Sequence, residues 1–92
     1  MTFSIIEILC QADIIQYMEE KNKELIFKLG QKIRILRSKQ GLSQEDLSEK
    51  SKVSLQTIGR IERGENDTKI SNICAIANAL NVDISELFTF TF

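Results

Sequence analysis

The side chains able to do chemistry are few. The 92-residue chain has no His, and its two cysteines, Cys10 and Cys74, lie far apart and outside any CxxC spacing. A structural zinc site takes about four Cys or His ligands, so no metal centre is expected. The sequence also offers no glycine-rich phosphate cradle and no activated nucleophile, which argues against an enzyme and against a cofactor. Both thiols read as reduced, with Cys74 a small core hydrophobe. What remains is recognition by polar side chains. Gln56 and Arg60 stand one helical turn apart in "GLSQEDLSEKSKVSLQTIGRIERG", Gly41 to Gly64. Taken alone, they read more simply as a solvated helix face.

Net charge is −1, which by itself advertises no polyanionic partner. The average hides an asymmetry. Residues 1–22 carry four acids against one lysine, whereas residues 23–69 carry eleven Lys or Arg against seven Asp or Glu. A local basic surface can bind phosphate whatever the total charge. Charge alone favours a solvated surface over that reading.

These residues must be held by short helices. In "ELIFKLGQKIRILRSKQ", residues 24–40, Leu25, Leu29, Ile33 and Leu36 recur at spacings of 4, 4 and 3, which is one buried helical stripe. Gly41 suits the left-handed position that ends such a helix. Ser43 opens "SQED", a variant of the capping box, and a helix with Leu47 inward runs to about Ser51. Ser54 caps a third helix, Leu55 to Arg63, with Ile58 and Ile61 inward. "GENDT" is a turn cluster. A fourth helix begins at Thr68 or Lys69 with Ile70, Ile73, Cys74, Ala77 and Leu80 as its inward stripe. Asn81 suits a left-handed stop, and "DISE" caps a last turn carrying Leu87 and Phe88. "FTFTF" alternates like a strand but is too short to decide. Composition, with 42% apolar and 27% charged residues, is that of a soluble globular domain. No apolar run is long enough to span a membrane and no signal peptide is evident, so a cytoplasmic location is the default expectation.

Two short helices around a three-to-four-residue corner form a helix-turn-helix. The first helix braces against the phosphate backbone, and the second projects into the major groove. Residues 23–88 resemble the Cro/C1-type (XRE, lambda-repressor-like) helix-turn-helix family. The resemblance rests on "LGQKIRILRSKQGLSQEDL", "KVSLQTIGRIERGE" and "ISNICAIANALNVDISELF" in that order. It implies an all-α, five-helix lambda-repressor-like domain that binds double-stranded DNA. It further implies that Gln44, at the start of the bracing helix, meets phosphate. Ser54, Leu55, Gln56 and Arg60 match exposed positions of the reading helix, with Thr57 partly outward and near a phosphate. Gln matches the N6/N7 edge of adenine and Arg the O6/N7 edge of guanine, while Leu55 could pack on a thymine methyl. Lys50, Lys52, Arg63 and Lys69 are weaker phosphate candidates. Leu47, Val53, Ile58 and Ile61 match core positions. The resemblance also makes Arg37 and Glu62 a structural salt bridge.

Three residues depart from the family pattern. Lys52 replaces the usual turn glycine, at roughly 1–2 kcal/mol for a left-handed non-glycine residue. Ser48 replaces a small apolar residue. Gly59 lies inside the reading helix and costs about 1 kcal/mol relative to Ala; it would allow DNA backbone or a neighbouring helix to approach.

The resemblance stops short of residues 1–22. On a helical projection they show two apolar arcs, one with Ile5, Ile8, Leu9, Ala12 and Ile15, the other with Phe3, Ile6, Cys10, Ile14 and Tyr17. A surface helix buries one stripe, so an extra N-terminal helix with two suggests docking on its own domain and on a second subunit. A strand across "FSIIEIL" and a native start at Met18 are the competing readings. The expected organisation is an N-terminal extension (1–22) that forms a homodimer through residues 3–17, the helix-turn-helix domain (23–88) and a short tail (89–92). The expected function is a sequence-specific transcriptional regulator, a dimeric repressor reading a near-palindromic operator. The alternative is a protein-interaction or antitoxin-type module on the same fold.

Overall fold

The computed structural model of the chain describes the backbone of residues 5–65 and 68–90, with side chains from residue 20 onward. Five helices follow one another among these residues: α1 (Ile5–Lys39), α2 (Gln44–Ser51), α3 (Leu55–Arg63), α4 (Ile70–Ala79) and α5 (Ile84–Leu87). The two apolar arcs of the N-terminal segment concern side chains outside the described set, as do residues 66–67 of the "GENDT" turn and residues 91–92 of the tail. No strand occurs among the described residues, and none of their helices is long and apolar enough to cross a membrane.

The expected helix over 24–40 is the second half of something longer. α1 runs unbroken for 35 residues, so the N-terminal extension and the first helix of the domain are one element. This sets aside the strand reading of residues 5–9. The physical reason lies in "MEEKNKE", residues 18–24, which has no Gly or Pro to break the ladder. Glu24 also pairs with Lys21 at 3.4 Å and with Lys28 at 3.1 Å, bracing the junction along one face. At 1.5 Å per residue α1 is roughly 52 Å long, close to the 55 Å longest extent of the molecule.

The core lies where the C-terminal half of α1 meets the other four helices. Ile33 of α1, Leu47 of α2, Ile58 of α3, Ile73, Ile76 and Leu80 of α4, and Leu87 of α5 are fully buried, joined by Leu29, Val53, Ile61 and Ala77. Gly30 sets the crossing of α1 on α3: a Cβ there would run into the carbonyl oxygen of Ile61. The four core positions named from the family pattern, Leu47, Val53, Ile58 and Ile61, are all buried.

Two stripes need correction. Leu25 is 43% exposed rather than buried, because it lines an open groove beside Ile70 and Phe88 instead of the closed core. On α4 the buried stripe is Ile73, Ile76, Ala77 and Leu80, while Ile70 and Cys74 are exposed. Cys74 is therefore not a core hydrophobe. Periodicity had placed Ile70 and Cys74 on the inward side, but no element of the domain reaches far enough to cover them.

The helix ends follow local chemistry. Gly41 (φ 68°) and Asn81 (φ 60°) take the left-handed conformation at the ends of α1 and α4. The Asp83 carboxylate accepts the Ser85 N–H at 3.0 Å to start α5. Gly64 (φ 66°) closes α3 where the backbone and ring of Phe27 leave no room for a side chain.

Candidate nucleic-acid interface

The corner between α2 and α3 is where this chain must be rigid. Ser43 and Asp46 form a reciprocal capping box at the start of α2: the Ser43 Oγ accepts the Asp46 N–H at 3.0 Å, and the Asp46 carboxylate accepts the Ser43 N–H at 2.9 Å. Hydrogen bonding to the carboxylate by Ser43, its backbone N–H first and its hydroxyl second, holds the Asp46 carboxyl below the usual carboxylate range. At the other end Lys52 sits at φ 63°, and its N–H reaches the Ser48 carbonyl at 2.9 Å. The left-handed conformation expected of this non-glycine residue is the observed one.

Two serines then fasten the corner. The Ser48 hydroxyl donates to the Val53 carbonyl at 2.7 Å, and the Ser51 Oγ accepts the Val53 N–H at 3.2 Å. Both main-chain groups of the buried corner residue are thereby satisfied, which matters because an unmet buried polar group costs about 1–3 kcal/mol. Sequence reasoning missed this pairing. Its one visible signal was Ser48 standing where the family pattern has an apolar residue.

A second tie fixes α3 to α1. Arg37 grips Glu62 with Nε–Oε2 at 2.7 Å and Nη2–Oε1 at 2.9 Å, with the side chains 13% and 3% exposed. Its Nη1 also donates to the Leu42 carbonyl at 2.8 Å. The hydrogen bonds to Glu62 push the Arg37 guanidinium pKa up. The structural salt bridge implied by the resemblance is present in this geometry.

α3 starts at Ser54, whose Oγ accepts the Thr57 N–H at 3.2 Å and donates to Thr57 Oγ1 at 2.7 Å. At 3.6 residues per turn, Leu55, Gln56, Gly59, Arg60 and Arg63 share the face opposite Ile58 and Ile61. Gln56 and Arg60 are exposed, and neither side chain makes a hydrogen bond or close ion pair among the described residues, although the Arg60 charge helps to lower the Glu65 carboxyl pKa. Leu55 is 43% exposed beside them, and Thr57 is half-buried. Gly59 lies on this side of α3 but is itself buried. A Cβ there would meet no other helix, only the Arg63 guanidinium, at 3.0 Å. Close packing by a neighbouring helix of this domain is therefore not why position 59 is glycine.

The remaining candidates are spread around this face. Lys50 is exposed in the last turn of α2, and Lys52 is exposed in the corner itself. Lys69 is exposed on another element, as the N-cap of α4. Arg63 is held by Glu65, with Nε–Oε1 at 3.0 Å and Nη2–Oε2 at 3.1 Å, which raises the guanidinium pKa and lowers that of the carboxylate. Gln44 stands apart from the expectation in one respect: its Nε2 donates to Glu62 Oε1 at 3.1 Å. The side chain expected at a phosphate is turned into the Arg37–Glu62 tie, because that carboxylate has lone pairs to spare. Glu45 and Asp46 also make the first turn of α2 acidic, so the helix dipole there already has a negative partner.

Residues 33–87 match the helix-turn-helix family HTH_3. The control protein C.BamHI of Bacillus amyloliquefaciens is 39% identical over 71 residues, spanning 76% of this chain and 85% of that protein. The crystal structure of the restriction-modification controller protein C.AhdI from Aeromonas hydrophila superposes with a TM-score of 0.67 at 40% identity, over 68% of this chain and 96% of that one. An uncharacterized HTH-type transcriptional regulator of Sinorhizobium medicae is 33% identical over 70 residues, and this chain spans only half of its length.

Proposed function

We infer the finer function from one premise: the chain belongs to the helix-turn-helix family HTH_3, and is a DNA-binding transcriptional regulator of the Cro/C1 type. We propose that it is a dimeric repressor whose α3 enters the major groove of a near-palindromic operator. The observation that carries this is the outward face of α3, where the Gln56 and Arg60 side chains stand exposed and make no hydrogen bond among the described residues, on a helix fixed by part-buried ties. Amide and guanidinium forks of this kind match purine edges. Gln56 and Arg60 read bases, and Leu55 packs on a thymine methyl. Ser54, Thr57, Lys50, Lys52, Arg63 and Lys69 contact the backbone. Gln44 joins them by turning out from Glu62 or by offering its backbone N–H. Two copies read half-sites about one helical turn apart.

The control-protein names of the relatives, and the near-complete coverage of C.AhdI by this chain, favour a regulator of restriction–modification genes. Titration with random and selected duplexes at two salt concentrations tests the reading. Affinity should fall steeply with salt and discriminate between the pools. Binding that is weak and insensitive to salt would leave a protein-interaction module instead.

A further inference from the structure

The acid that follows α3 is turned back onto the reading helix. Gly64 takes the left-handed conformation, its N–H bonding to the Ile61 carbonyl at 3.0 Å and that of Glu65 to the Arg60 carbonyl at 3.1 Å. This closure fixes where Glu65 leaves the helix. A carboxylate at a helix C-terminus meets the negative end of the dipole, so helix formation does not call for an acid here. What holds it is Arg63, whose Nε donates to Oε1 at 3.0 Å and Nη2 to Oε2 at 3.1 Å. The carboxylate thereby fills the whole side edge of the guanidinium. The remaining nitrogen, Nη1, lies over Gly59, 3.0 Å from where a Cβ would stand. A side chain at 59 would crowd this pose, so the bare backbone gives the guanidinium its seat.

Glu65 also senses a second cation. Hydrogen bonding by Arg63 is the main cause that lowers its pKa, and the charges of Arg63 and Arg60 add to it. It is therefore ionised at neutral pH beside two cations of α3. A carboxylate and a phosphate ask the same of a guanidinium, two parallel N–H bonds. A phosphate that takes the side edge of Arg63 must displace Glu65. One that takes the outer edge meets a like charge, inside the roughly 8 Å over which exposed charges act at physiological salt. Both routes lower affinity.

We propose that Glu65 is an internal competitor for Arg63, standing in for the DNA phosphate in the free protein and holding down the affinity of the regulator. This rests on the phosphate contact of Arg63 read above and names the acid that opposes it. The two side chains are 58% and 49% exposed, so water and salt weaken the pair and the restraint is a few-fold one. It falls on random and operator duplexes alike, because phosphates carry no sequence information.

Titration of the full-length protein with a fluorescent random duplex at several salt concentrations tests this, with circular dichroism to check that each variant is folded. Glu65→Gln should bind more tightly than the wild type, with a salt slope steeper by up to about 0.9. The gain should be about two- to fivefold larger with Arg63 present than in an Arg63→Gln background, where only the general effect of charge is left. Arg63→Gln should weaken binding when added to Glu65→Gln, since the guanidinium is then free. No weakening there would overturn the phosphate role of Arg63 and the competitor together. If weakening is seen but Glu65→Gln alone binds no better than the wild type, the competitor falls and the phosphate role stands. A gain of equal size with and without Arg63 would also overturn the competitor, as an effect of net charge.

Discussion

Replacing Arg37 by Ala should unfold much of this domain's margin of stability. The substitution leaves Glu62, whose side chain is 3% exposed, without either of the two bonds at 2.7 and 2.9 Å that neutralise it. Breaking a buried pair from one side typically costs about 3–5 kcal/mol. The Leu42 carbonyl loses its donor as well, so the upper part of that range is expected. A domain of this size has roughly 5–15 kcal/mol in total. Each kcal/mol moves the midpoint by about 4–8 °C, so a loss of about 4 kcal/mol or more should lower it by at least roughly 16 °C. Thermal unfolding followed by far-ultraviolet circular dichroism measures the shift, and urea unfolding the free energy. Arg37→Met with Glu62→Leu removes both charges and should be more stable than either single replacement, since an apolar pair of similar volume is often neutral. Losses below about 1 kcal/mol for each single change, or single effects that merely add in the double, would refute the view that this pair fixes α3.

Three other perturbations probe the same frame. Ser48→Ala removes the donor to the Val53 carbonyl and should cost about 1–3 kcal/mol, with DNA affinity falling beyond what stability explains; denaturant titration and a binding isotherm separate the two. Gly59→Ala should stabilise α3 by about 1 kcal/mol, since only the movable Arg63 guanidinium stands near, and a lower affinity in the same variant would mark position 59 as a point of close DNA approach. Asp46, whose pKa is depressed by the Ser43 bonds, contributes stability above the unfolded-chain value of about 3.9 that is lost as pH falls through its lower folded value. Asp46→Asn should therefore flatten the acid limb of the stability–pH curve.

The elements that sequence made legible are those governed by local chemistry. Ser43, Ser54 and Asp83 cap helices where their side chains accept nearby N–H groups. Gly41, Lys52 and Asn81 turn left-handed at the expected stops. The Arg37–Glu62 tie was legible through family resemblance rather than through spacing. What escaped depends on three-dimensional reach. Periodicity identifies the apolar face of a helix but not where the domain beneath it ends, and so Leu25, Ile70 and Cys74 were assigned to a core that does not extend to them. The continuity of α1 depended on the absence of a breaker, a weaker signal than a cap. The Gln44–Glu62 and Ser48–Val53 bonds each join residues whose relative placement only the finished corner defines.

The central claim is that α3 presents Gln56 and Arg60 to base edges from a fixed corner. Selection of bound duplexes from a random pool, run in parallel with the wild type and Arg60→Ala, tests it most directly. The account predicts a two-fold-related consensus for the wild type, and for Arg60→Ala relaxed preference at one base position per half-site, worth about 1–3 kcal/mol. Equal weakening across all sequences, with the consensus intact, would contradict it and assign Arg60 to the phosphate backbone.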